Sequence, residues 1–163
     1  ELRTHVCFMA GDDRGMRRHA AELLASREMY PFDVIPAARA SLWLRDAAGA
    51  REALGERDVS AGRASDLRFA TIRAGLAALE GHTDDARAGY LAAEAGLRDL
   101  GIRFQLGLAV LEHAVFLAGD PSAATAADEA RAIFEELGAT TLLARLAAAG
   151  TPAVPAAGVA SAD

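Results

Sequence analysis

The stretch "LEGHTDDARAGYLAAEAGLRDLG", Leu79 to Gly101, is one complete helical phrase with its punctuation. Gly81 closes a helical run. Thr83, Asp84 and Asp85 then offer a cap and two acids to a helix N-terminus, where negative charge meets the positive end of the backbone dipole. Small and apolar residues recur at helical spacing until Gly101, a C-terminal stop. The phrase returns in "ARAIFEELGATTLLARLAAA", Ala130 to Ala149. There a helix ends at Gly138, and Thr140 or Thr141 opens a shorter one.

Outward from these stretches, four glycines sit in similar contexts: Gly11 in "MAGDD", Gly49 in "DAAGA", Gly81 in "ALEGH" and Gly119 in "FLAGD". Their intervals are 38, 32 and 38 residues. Each follows one apolar-periodic segment and precedes another. The unit is helix, tight turn, helix, with the period of two-helix solenoid repeats. The spacing predicts helices over about 2–10, 14–29, 35–48, 50–58, 65–80, 84–100, 102–118, 122–137 and 141–149. Asp120 followed by Pro121 starts one of them, since proline's missing N–H costs nothing at the first helical position. The expected fold is therefore all-α, a right-handed helix-turn-helix solenoid of about nine helices. Its units are 1–30, 31–58, 65–100 and 102–137, with a capping helix at 141–149.

Two prolines within six residues make "YPFDVIP", Tyr30 to Pro36, a predicted loop. Segment 102–118 is apolar almost all round, with Arg103 and Glu112 its only charges, and should be the most buried element. From Thr151 the chain loses periodicity, and 150–163 reads as an extended tail.

Composition agrees with close-packed helices. Of 163 residues, 41 are Ala and 52% are hydrophobic, but only 6% are aromatic. A chain of this length buries about 68–70% of its unfolded surface, enough for a core without staples. All 17 basic residues are Arg, and the net charge is −6. An acidic chain lacks the clustered positive field that phosphate contacts require, so direct nucleic-acid binding is not expected. "RGMRR", Arg14 to Arg18, reads as a solvated helix face. Cys7 is the only cysteine and lies among apolar neighbours, as a packed thiol does. No internal disulfide is possible, which fits a cytoplasmic setting. No apolar run reaches membrane-spanning length. The opening "ELRTHV" suggests a piece of a longer protein.

"GHTDDARAGYLAA" resembles the turn and second helix of a tetratricopeptide repeat. Gly81 matches the turn glycine. Ala86, Tyr90 and Ala93 match the small, large, small series that the repeat uses where its two helices cross. Ala130, Phe134 and Leu137 follow Gly119 in the same series, although the turn there is longer by six residues. The resemblance is fullest over 65–149 and least over 31–64. Such regions occur C-terminal to the ATPase module of LuxR-type transcriptional regulators and adenylate/guanylate cyclase-like signalling proteins. It implies a bacterial interaction or regulatory module whose enzymatic parts lie elsewhere.

No catalytic, metal or nucleotide motif stands out. His5, His19, His82 and His113 have no second His or Cys at three or four residues, as zinc sites do. There is no phosphate-binding glycine loop and no Lys to serve one. No cofactor is expected. What remains is the concave face, formed by the first helix of each unit. Aligned on the four glycines, the column six residues before holds His5, Trp43, Gly75 and His113. Thr71 and Arg39 share the column ten before, Phe116 falls three before Gly119, and Arg68 thirteen before Gly81. Candidate contacts are therefore Arg39, Trp43, Arg68, Thr71, His113 and Phe116. Trp43 reads as core packing or as a partner's anchor, His113 as a satisfied core histidine or a contact, and Arg39 and Arg68 as solvated or as forks onto a carboxylate. The expected partner is a protein or peptide, or a second copy. A small-molecule effector sensor is the alternative, and an enzyme with a scattered site is the third reading.

Overall fold

The computed structural model of the protein describes residues 2–25, 31–55 and 62–150. Among these residues there are nine helices and no strand. They are α1 (Leu2–Ala10), α2 (Asp13–Ala25), α3 (Pro31–Trp43), α4 (Ala47–Leu54), α5 (Arg63–Leu79), α6 (Thr83–Asp99), α7 (Arg103–Phe116), α8 (Pro121–Glu136) and α9 (Thr140–Gly150). The tail from Thr151 lies outside the described residues. No described helix is long and apolar enough to cross a membrane.

The turns obey one rule. Each needs a left-handed residue, and Gly11, Gly81 and Gly119 supply φ of 73°, 85° and 96°. At the second turn the sequence reading fails. Gly49 is no turn residue but sits inside α4, buried. The left-handed position belongs to Arg45, φ 58°, the single non-glycine with positive φ among the described residues. The turn residues are thus 34, 36 and 38 apart. The correct register was written in the caps. Asp12 Oδ1 accepts from the Gly15 N–H at 2.8 Å, and Asp46 Oδ1 accepts from the Gly49 N–H at 2.9 Å. Both are Asp-x-x-Gly, with glycine where a Cβ would collide with the capping carboxylate. Asp120 caps α8 in a related way, through the Ser122 N–H at 2.9 Å.

The predicted loop at Tyr30–Pro36 is also corrected. Tyr30 lies outside the described residues, but α3 starts at Pro31 and runs through Pro36. Pro31 takes the favoured first position, and Pro36 forfeits one backbone hydrogen bond. Burial compensates, since the apolar residues from Val34 to Leu42 are at most 4% exposed. α7 is buried without a break from Leu106 to His113, as its composition predicts. It is not alone, because α3 is buried just as completely from Val34 to Leu42.

Helices pack as successive pairs, α1 with α2, α3 with α4, α5 with α6 and α7 with α8. The first helices also touch in order, α1 to α3, α5, α7 and α9, and α9 returns to meet α1. Small residues set the seams. Ala86 and Ala93 are buried where α6 crosses α5, and Tyr90 fills the space that Gly75 leaves open. A Cβ on Gly107 would stand 2.8 Å from Phe134 and 2.9 Å from Ile133, so α7 and α8 meet backbone to side chain. Arg–acid rungs latch the pairs at their open ends. Arg63 at the start of α5 reaches Asp99 at the end of α6, and Arg103 at the start of α7 reaches Glu136 at the end of α8. These rungs are exposed, and each contributes under about 1 kcal/mol.

Candidate functional site

Two polar clusters lie at the middle of the stack, on different faces of α7. Consecutive residues of a helix point about 100° apart, so Glu112 and His113 face different neighbours.

Glu112 faces α3. Its side chain is fully buried, and Arg39 Nε donates to Oε1 at 2.6 Å. A second guanidinium N–H reaches Oε2 at 3.5 Å, and Trp43 Nε1 donates to Oε1 at 3.2 Å. Above this pair lies an aromatic plate. Trp43 meets Phe8 edge-on at 5.3 Å and Phe116 at 5.6 Å. Two guanidinium groups cover the plate: Arg45 stands 4.9 Å over Phe116, and Arg145 stands 5.0 Å over both Phe8 and Trp43. Arg145 also donates to the Phe8 carbonyl at 3.2 Å and to Asp13 at 2.9 Å. The plate therefore gathers α1, α3, α7 and α9.

His113 faces α6 and α8. Its ring lies flat against Tyr90, with centroids 5.1 Å apart. Nδ1 is 2.8 Å from Glu94 Oε1, and Nε2 is 2.8 Å from Ser122 Oγ. Glu94 also faces Arg98 at 3.6 Å, and Arg98 forks onto Glu129 at 2.9 and 2.6 Å. Ser122 donates its hydroxyl to Asp120 Oδ1 at 2.5 Å, while Arg87 holds Asp120 Oδ2 at 2.9 and 2.5 Å. The Arg87 guanidinium, and then the two Ser122 donors, keep the Asp120 carboxyl well below the usual aspartate range. Burial, and then the charge of Glu112, push the Tyr90 phenol well above its usual range, so it stays protonated.

Glu94, His113 and Ser122 have the connectivity of an acid–histidine–serine relay. In a nucleophilic relay the base accepts the hydroxyl proton. Here the Ser122 hydroxyl has a second acceptor in Asp120 Oδ1, at 2.5 Å.

The candidates named from sequence divide accordingly. Arg39, Trp43 and Phe116 come together around the plate, with Arg39 5% and Phe116 9% exposed. His113 is not in their column and lies on the other face of α7, 1% exposed. The glycine-based alignment placed Trp43 four positions out of register because it took Gly49 for Arg45. Thr71 is turned into its own helix, its hydroxyl donating to the Leu67 carbonyl at 2.9 Å. Arg68 is half-buried on α5, and the side chain of His5 lies outside the described residues. Sequence reasoning missed Phe8 as a partner of Trp43, Glu94 and Ser122 as partners of His113, and both Arg45 and Arg145. Only Arg45 left a usable signal, the repeat of Asp-x-x-Gly directly after it. Cys7 is half-buried rather than enclosed.

Two open clefts adjoin the turn ends. One, of about 540 Å³, is bounded by Ala114, Ala123, Ala127, Arg131 and Leu146. The other, of about 420 Å³, is bounded by Ala78, Thr83, Phe116 and Pro121. They share Ala118, Gly119 and Asp120. Among the described residues no group of three His, Cys, Asp or Glu could hold a metal ion. Compared with known proteins, the chain matches no family model, no curated protein and no solved structure.

Proposed function

We propose that this chain is a recognition module, a tetratricopeptide-like right-handed superhelix that binds a protein or peptide through its inner face. The observation that supports this most is the stacking. Left-handed turns recur at Gly11, Arg45, Gly81 and Gly119, and first helices pack on first helices along the chain. A two-helix unit cannot bury its apolar face alone, so such units stack and present an extended surface. On that surface Trp43 is half-buried and Arg45 exposed, a combination of aromatic area and cation that suits recognition. In this reading the module belongs to a larger cytoplasmic bacterial signalling protein or transcriptional regulator.

The test is affinity capture with the chain as bait, followed by identification of the bound protein. Arg39→Ala is a poor probe, since it would strand buried Glu112. Arg45→Glu is better, because its guanidinium is exposed. Capture lost in Arg45→Glu at unchanged helicity supports the inner face, and capture by both proteins alike removes it.

The 540 Å³ cleft favours one second reading, a small-molecule effector sensor, since its size is that of ligand pockets. A ligand at 100 times its dissociation constant adds about 2.7 kcal/mol of stability, which a thermal-shift screen of metabolites detects. A screen without any stabilising metabolite counts against this reading.

A further inference from the structure

We propose that α9 is an exchangeable occupant of the inner face, and that the surface beneath it accepts a short amphipathic helix from a partner. This rests on the recognition-module reading and names the kind of partner. The helix required has α9's own chemistry: two leucines four residues apart with an arginine just before the second, as in Leu142, Arg145 and Leu146.

Three observations carry this. The first is how lightly α9 is set in the fold. Of its described side chains only Leu142 and Leu146 are buried, whereas α7 buries ten of its fourteen residues. Among the described residues α9 packs against α8, α7 and α1, and it reaches α2 only through the bond from Arg145 to Asp13. The second is that α9 sits on a surface that does not depend on it. Phe8, Trp43 and Phe116 come from α1, α3 and α7, and Trp43 is fixed from below by its hydrogen bond to buried Glu112. The three rings and the bond to Glu112 thus come from helices other than α9. The third is the specificity of the contact. Arg145 is only 12% exposed, held over two rings while its hydrogen bonds reach the Phe8 carbonyl and Asp13. That is a socket for one arginine at one position on a helix.

The connection allows exchange. α9 follows α8 after Leu137, Gly138 and Ala139, and Gly138 is left-handed at φ 65°. A few dihedral changes there would swing the helix away. While tethered, α9 competes at an effective concentration of order millimolar, so the free surface is rare and a partner helix must outbid it.

The experiment uses the full chain and a synthetic peptide of the α9 sequence, TTLLARLAAAG, with blocked ends. Trp43 is the only tryptophan, and the peptide has none, so the emission of Trp43 reports directly on the plate. A chain carrying Leu142→Asp and Leu146→Asp should release α9 and bind the peptide at least tenfold more tightly than the unaltered chain. The peptide with Arg145→Glu should bind at least tenfold more weakly. If the released variant keeps its helicity and its Trp43 emission ignores the peptide, or if both chains bind alike, α9 is a fixed structural helix and the proposal fails. If the double variant loses helicity, Arg145→Glu in the full chain replaces it. That chain must also bind the unaltered peptide more tightly than the parent, and equal binding overturns the proposal. No natural partner enters this assay. Partner capture that persists while peptide exchange fails would therefore retain the module and remove α9 as its occupant.

Discussion

The two faces of α7 handle the same problem differently. Each buries an ionisable side chain in an Ala- and Leu-rich core. Glu112 is answered by one guanidinium and one indole, its only hydrogen-bond partners among the described residues. His113 is answered by Glu94 and Ser122, each of which has a second partner nearer the surface. One face is a closed pair and the other a chain that leads out to Arg87 and Arg98. A closed pair is all or nothing, whereas a chain can redistribute a loss.

That contrast can be broken by substitution, and the largest effect should come first from Glu112→Ala. It leaves Arg39 charged and buried with nothing to meet it, at about 3–5 kcal/mol in denaturant unfolding. Replacing both members with apolar residues, Arg39→Met with Glu112→Leu, should return most of that stability. If the single and double variants are equally unstable, the pair is not the closed unit described. His113→Phe keeps the stack on Tyr90 but removes both hydrogen bonds. Since Glu94 retains Arg98 and Ser122 retains Asp120, the expected loss is smaller, about 1–3 kcal/mol. A loss as large as that for Glu112→Ala would erase the distinction between the faces.

Above Glu112, Arg45 offers a finer test. Arg45→Ala keeps the left-handed backbone but loses the contact with Phe116, at about 0.5–1 kcal/mol. Arg45→Gly loses the same contact and relieves the backbone, so it should be about 1 kcal/mol more stable than the alanine variant. The reverse order would mean the turn is not strained by arginine. The smallest effect is expected on the His113 side and only in acid. The folded carboxyl of Asp120 is depressed, so its contribution is complete above the unfolded value near 4 and is lost as pH falls below it. The stability gap between the unaltered chain and Asp120→Asn should be constant above about pH 5 and narrow steadily toward pH 2. A gap that stays constant through that range would show that Arg87 does not hold Asp120.

Helix number and most helix ends were legible because they depend on local chemistry: apolar spacing, capping acids and left-handed glycines. Legibility failed where a local rule was overridden by packing. Pro36 breaks a helix by rule, and α3 absorbs it because its surroundings bury every residue from Val34 to Leu42. Gly49 looks like a turn by rule, but it is the third residue of a helix capped by Asp46. That one error moved Trp43 four positions and placed it in a column with His113. The site was less legible than the fold, because its members are joined only by tertiary structure. Arg39 lies 73 residues from Glu112, and Arg145 lies 137 from Phe8. Arg45 could have been found, since Asp-x-x-Gly after it repeats Asp-x-x-Gly after Gly11. Nothing in the sequence marked Arg145.

The meeting of α1 with α9 has a kinetic consequence. Apart from the contacts of Arg39 and Trp43 with α7 and those of Arg145 with Asp13 and Trp43, the other helix contacts among the described residues join neighbours in the chain or near-neighbours, so most of the stack can be assembled from fast local steps. The bond from Arg145 to the Phe8 carbonyl spans nearly the whole polypeptide, and it can form only when the helices between have brought both ends into range. Closure is therefore expected last in folding and first to be lost in unfolding. Amide hydrogens of α9 should exchange with solvent well before those of α3 and α7, in openings that leave the rest of the molecule intact.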